Sequence, residues 1–167
     1  MPHSIFIETT IPSYYVARPS RNLLQAARQE LTREWWDGQR HGFELFTSQL
    51  VLDEAAVGES AKAAERLQLL DGIALLDLNE EVGALATKLV ETGIVPAVAG
   101  RDAFHLAAAG VHGMNFLLTW NSKHIANPFI AERLLSCFSG MGVHLPVICT
   151  PEQFITDGND DTQDQPS

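Results

Sequence analysis

The chain has little that would tie it to a membrane, a secretory pathway or a soft metal. No apolar run approaches the roughly 20 residues that a bilayer span requires. The opening stretch MPHSIFIETT has neither the basic region nor the apolar core of a signal peptide, so a cytoplasmic protein is expected. There are only two cysteines, Cys137 and Cys149, and no C-x-x-C pair. Free thiols in a reducing compartment are therefore expected, and a zinc site is not. His3, His41, His112 and His144 show no ligand spacing. The phosphate loop G-x-x-x-x-G-K-[ST] is absent, no G-x-G-x-x-G follows a strand pattern, and no Ser/His/Asp or Cys/His arrangement is readable. The D-x-D pairing expected of a phosphatase is also missing, which leaves a phosphatase or other small-molecule α/β enzyme as the weakest option.

Positive charge is scarce too. Eleven Lys and Arg face 21 Asp and Glu, for a formal net charge of −10. Four of the acids (Asp157, Asp160, Asp161 and Asp164) lie in the polar stretch TDGNDDTQDQPS. It carries no periodic apolar pattern, and a disordered tail over 156–167 is expected. The remaining body is still acidic, which excludes a general electrostatic grip on nucleic acid. It does not exclude a site in which metal ions neutralise clustered acids.

What is present is an ordinary globular composition, 46% apolar and 19% charged, in a chain of 167 residues. That length suits one domain with a real core. Short apolar runs at 5–7, 43–47, 73–78, 115–120 and 146–150 read as strands. Between them lie helical patterns over about 20–37, 48–57, 60–70, 80–92, 101–111 and 128–138. IPSYYVARPS, with two prolines, reads as a loop. Ser20, Ser48, Asn79 and Thr150 are the expected N-caps. Val82, Leu85, Ala86, Leu89 and Val90 form the clearest amphipathic stripe. Leu23, Leu24, Ala27, Leu31 and Trp35 are expected to face inward, with Trp36 pointing outward toward a partner or second subunit. Strands alternating with helices predict an α/β domain around a mainly parallel sheet.

Several carboxylates interrupt these apolar surfaces. Glu8 ends the first strand. Glu54 falls three residues after Val51 and three before Val57, inside the stripe of a short helix. Asp102 opens RDAFHLAAAGV, a helix whose circumference is almost wholly apolar, and shares a stripe with His105. A buried carboxylate costs several kcal/mol unless something compensates it. Each has a plain alternative: a solvated strand end for Glu8, a misjudged face for Glu54, the favourable first helical turn for Asp102. In open α/β sheets, however, ligand sites form outside the carboxyl ends of the strands. Acids converging there need a cation, and oxygen donors suit Mg²⁺ or Mn²⁺. Such an ion serves phosphodiester hydrolysis by lowering the pKa of a water and shielding phosphate charge. Thr119 and Asn121 end the fourth strand in the same topological position as Glu8. Asn121 can hold a metal or its water, bind substrate, or simply turn the chain. Lys123 and His124, just beyond, are candidate phosphate contacts. His105 is read as an interior histidine ahead of a ligand or base.

In order along the chain, FIETTIPSYY, LTREWWDG, FTSQLVLDE, RDAFHLAAA, FLLTWNSKHIAN and VICTPEQF resemble a PIN domain of the VapC-like toxin group. The pieces span about residues 5–154. The resemblance implies a three-layer α/β/α sandwich with a mainly parallel central sheet, placed here over 1–155. It implies a Mg²⁺- or Mn²⁺-dependent endoribonuclease acting on RNA, an antitoxin protein as partner, and a homodimer. It carries the acidic positions onto Glu8, Glu54 and Asp102 as metal ligands, with Asn121 as the fourth catalytic position. Thr9 and Thr119 match supporting hydroxyls; Lys123, by its place in the loop and not by the resemblance, is the candidate substrate contact. Two departures stand out: Glu8 where many relatives carry Asp, and Asn121 where an acid is usual. The second departure motivates an alternative, a catalytically weak scaffold that binds protein or RNA.

Overall fold

A computed structural model describes residues 1–155. The expected tail at 156–167 lies outside the described residues. Five strands form one sheet: β1 (His3–Ile7), β2 (Phe43–Ser48), β3 (Ala74–Leu76), β4 (Phe116–Leu118) and β5 (Val147–Cys149). Their order is β3-β2-β1-β4-β5, and every pairing is parallel. Seven α-helices connect them: α1 (Thr10–Val16), α2 (Leu23–Gly38), α3 (Gln49–Ala55), α4 (Ser60–Leu70), α5 (Glu80–Glu91), α6 (Gly100–Val111) and α7 (Ala131–Gly140). The result is the expected α/β sandwich with a parallel sheet at its centre.

The burial of β1 explains the layers. Ile5, Phe6 and Ile7 are all fully buried. Successive strand residues point to opposite faces, so both faces of the sheet are covered. α1 packs on α2 and α4, while α5 packs on α6 and α7. α6 meets α7 at Gly110, where an added Cβ would fall 2.4 Å from a ring carbon of Phe138. That close approach is what the glycine permits.

Capping follows the sequence at three places. Ser48 and Asn79 accept from the backbone N–H of Val51 and Val82. Thr150 gives its N–H to the Gln153 side chain at 2.9 Å, over a 3-10 turn at Pro151–Phe154.

Five details differ from expectation. IPSYYVARPS is mostly helical, because Pro12 sits in the first turn of α1, where backbone N–H groups have no helical acceptor anyway. The N-cap of α2 is Asn22, which accepts from Gln25 N–H at 3.1 Å; Ser20 instead gives its N–H to Gln29. The inward face of α2 is Gln29, Thr32, Trp35 and Trp36, whereas Leu23 and Leu24 are 88% and 62% exposed. Gln29 and Thr32 tolerate that interior because both are hydrogen-bonded. Trp120 Nε1 donates to Thr32 Oγ1, and Gln29 donates to the Arg18 carbonyl. Trp36 is buried against Tyr15 and Trp35, with the Arg40 guanidinium over its ring. It is therefore not an outward contact. α7 begins at Ala131 because Asn127 and Pro128 hold a turn ahead of it.

Candidate metal centre

The strand order reverses direction between β1 and β4, and that switch point is where open α/β sheets build their sites. Glu8 follows β1 and Thr119 follows β4, so both stand at this edge. Glu8 N–H still pairs with the Leu118 carbonyl at 3.2 Å, which carries the residue into the interior. Its side chain is only 3% exposed.

Glu8 is held by donors. Its Oε2 accepts from Thr10 N–H at 3.0 Å, from the Thr10 hydroxyl, and from Thr119 Oγ1 at 2.8 Å. The first of these is an unsatisfied N–H at the start of α1, where a negative charge is welcome. Burial nevertheless pushes the Glu8 carboxyl above the usual range. The nearby His105 and the hydroxyls of Thr10 and Thr119 offset only part of that effect.

The second group hangs on α6. Asp102 lies in the first turn of this helix, and His105 follows one turn later with 1% exposure. Asp102 Oδ2 is 2.9 Å from His124 Nδ1, which arrives from the loop after β4. His105 Nε2 is 2.6 Å from Glu54 Oε1, and the same oxygen accepts from Thr9 Oγ1 at 2.6 Å. Glu54 thus reaches the cluster through His105, with Thr9 holding the same oxygen. Burial alone would lower the His105 pKa, but the bond to Glu54 and the charges of Glu8, Glu54 and Asp102 raise it. Burial alone would raise Glu54, yet the hydrogen bond and charge of His105, with Thr9, bring it below its ordinary value.

Glu8, Asp102 and His105 each place a ligand atom within 4.8 Å of the others. Two further observations suit a cation there. His105 Nδ1 is buried and has no hydrogen-bond partner among the described residues. The surrounding acids also favour positive charge at this spot, on imidazole or on an ion. The donor set of carboxylates and imidazole is one that divalent metals accept.

The other predicted positions take different places. Thr9 bonds Glu54, and Thr119 bonds Glu8. Asn121 Oδ1 accepts from the N–H groups of Lys123 and His124, at 3.2 and 3.0 Å, and so shapes the loop. Lys123 is exposed beside it. Thr10 carried no expected role, and His124 was expected at a phosphate but meets Asp102. Thr10 was visible in the ETT run, but only a helix beginning there reveals that its N–H and hydroxyl both face Glu8. His124 was visible as a loop residue, but its partnership with Asp102 crosses 22 positions.

The PIN domain family pattern matches residues 5–129. The chain belongs to the PIN domain family. In this PIN domain the matched span carries every residue of the cluster, from Glu8 to His124. No curated protein matches the chain. Among solved structures it is similar to the crystal structure of VapBC2 from Rickettsia felis bound to a DNA fragment from their promoter. The identity is 15% and the TM-score 0.49, over 88% of this chain and 98% of that one. Among the described residues no helix is long and apolar enough to cross a membrane.

Proposed function

We propose that this PIN domain is a Mg²⁺- or Mn²⁺-dependent endoribonuclease and the toxin half of a toxin–antitoxin pair. The observation that carries the nuclease reading is the meeting of Glu8, Asp102 and His105 at the switch point of the sheet. A divalent ion held there supplies an acidified water and shields the charge that develops on phosphate. Glu8 and Asp102 hold the ion. Thr10 and Thr119 fix Glu8, and Thr9 fixes Glu54. Asn121 positions the loop that presents Lys123 and His124 to the substrate phosphate. The toxin role, the antitoxin partner and a homodimer rest on the resemblance of the ordered motifs to the VapC-like group.

The test is cleavage of a mixed RNA substrate with Mn²⁺ by the wild-type chain and by Asp102→Asn. The variant is expected to lose at least about a hundredfold, since even residues behind metal ligands are worth roughly ten- to a hundredfold. Equal cleavage by the two would overturn the reading. The weak-scaffold alternative draws on Asn121, whose amide oxygen is occupied by the loop backbone. Calorimetric titration separates them, because a scaffold would bind neither ion at millimolar concentration.

A further inference from the structure

Resting on the metal-dependent reading above, we infer that His105 is itself an ion ligand through Nδ1 and that Glu54 acts as its orienting partner. The site is then a mixed nitrogen–oxygen one that favours Mn²⁺ over Mg²⁺.

The two ring nitrogens of His105 have different surroundings. Nε2 lies 2.6 Å from Glu54 Oε1, and a carboxylate oxygen so placed accepts a proton-bearing nitrogen. Nδ1 then carries the lone pair in the neutral ring. It is buried and meets no polar partner among the described residues. A buried ring nitrogen without a partner is costly whether bare or protonated, so the orphaned atom needs an explanation. The ring is not free to turn away from this arrangement. Glu54 is pinned by Thr9, and the imidazole packs against Phe6 with centroids 6.0 Å apart.

A histidine that gives one N–H to a carboxylate and keeps the other nitrogen bare is the standard form of a metal-bound histidine. The carboxylate fixes the tautomer and raises the basicity of the ligand. The companions are already there, since Glu8 and Asp102 offer oxygens within 4.8 Å of a His105 nitrogen. Glu54 is the carboxylate that this arrangement spends on orientation. An imidazole nitrogen suits Mn²⁺ and later transition ions, whereas Mg²⁺ prefers oxygen donors and holds its waters. The identity of the ligands thus sets the choice of ion.

The experiment combines calorimetry with pulsed electron paramagnetic resonance on the full chain loaded with Mn²⁺. Wild-type protein is expected to bind Mn²⁺ at least about tenfold more tightly than Mg²⁺. Its spectrum should show modulation from a directly bonded nitrogen. That modulation should persist in His124→Gln and vanish in His105→Gln. Glu54→Gln should keep it while weakening Mn²⁺ roughly ten- to a hundredfold. The wild-type and His124→Gln spectra decide the matter even if His105→Gln fails to fold. Mn²⁺ bound without nitrogen modulation, in a chain that still cleaves RNA, overturns the inference and leaves the nuclease reading intact. A nitrogen signal that disappears in His124→Gln also overturns it. Binding of neither ion overturns both.

Discussion

The two ends of the sheet are built on opposite principles. Where β2 and β4 begin, Phe43, Phe116 and Phe154 meet edge to face, with centroids 5.1 to 6.1 Å apart, and Trp35 closes over Phe43 and Phe154. Where β1 and β4 end, Glu8, Thr119, Asp102, His105 and Glu54 are held by charge and hydrogen bonds. The aromatic end gains from burying area and from ring geometry. The polar end buries a carboxylate against its own preference, as the raised pKa of Glu8 records. One end stabilises the fold, and the other draws on that stability to hold acids together.

Substitutions at the two ends should therefore separate stability from activity. The largest effect belongs to Trp35→Ala, expected to cost about 3–5 kcal/mol in urea unfolding while the folded fraction still cleaves RNA. Loss of activity in the folded fraction would dissolve the contrast. Glu8→Gln should do the reverse. Cleavage should fall about a hundredfold, which is about 2.7 kcal/mol of barrier. The thermal midpoint of the metal-free protein at pH 7 should hold or rise. The sign follows from linkage. A carboxyl whose folded pKa lies above its unfolded value favours folding only when protonated, and that contribution is lost as pH rises through the folded value. A neutral side chain has no such loss. A clear fall in the midpoint would show that the ionised group stabilises the fold.

Gly110→Ala comes next. α6 ends just before β4 begins, so this residue belongs to the packing end. The new Cβ meets Phe138 and the His144 carbonyl, and a loss of about 1–3 kcal/mol is expected with the metal site unchanged by calorimetry. The smallest effect is Thr119→Val, which removes one donor to Glu8 Oε2. About 1 kcal/mol of Mn²⁺ affinity should go, with the unfolding midpoint nearly constant. An unchanged affinity would mean that Thr10 holds the carboxylate alone.

The packing end was the more legible in the sequence. Runs such as IFI and FLL identify strands by composition, and the stripe of α5 declares its inner face by spacing. Glu8, Glu54 and Asp102 were also readable, because each violates the pattern around it. What escaped was pairing across distance. Periodicity on α2 favoured Leu23 and Leu24, but only its later turns lie on the core, and Thr32 is inside because Trp120 arrives to bond it. Trp36 was assigned outward because no single helix stripe includes both tryptophans. Thr10 and His124 gain their partners only once α1 and the loop after β4 are in place. Side chains that depend on remote partners leave no local trace.

The position of β1 has a further consequence. Among the five strands it comes first along the chain and lies in the middle of the sheet, between β2 and β4. During synthesis it can pair with β2 early, but β4 and His124 come more than a hundred residues later. Glu8 must wait for Thr119, and Asp102 for His124. A nascent chain that has emerged only as far as α5 holds Glu8 and Glu54 with their donors Thr10 and Thr9, but neither Asp102 nor His105. The candidate metal centre therefore stays unformed until α6 and the loop after β4 have followed.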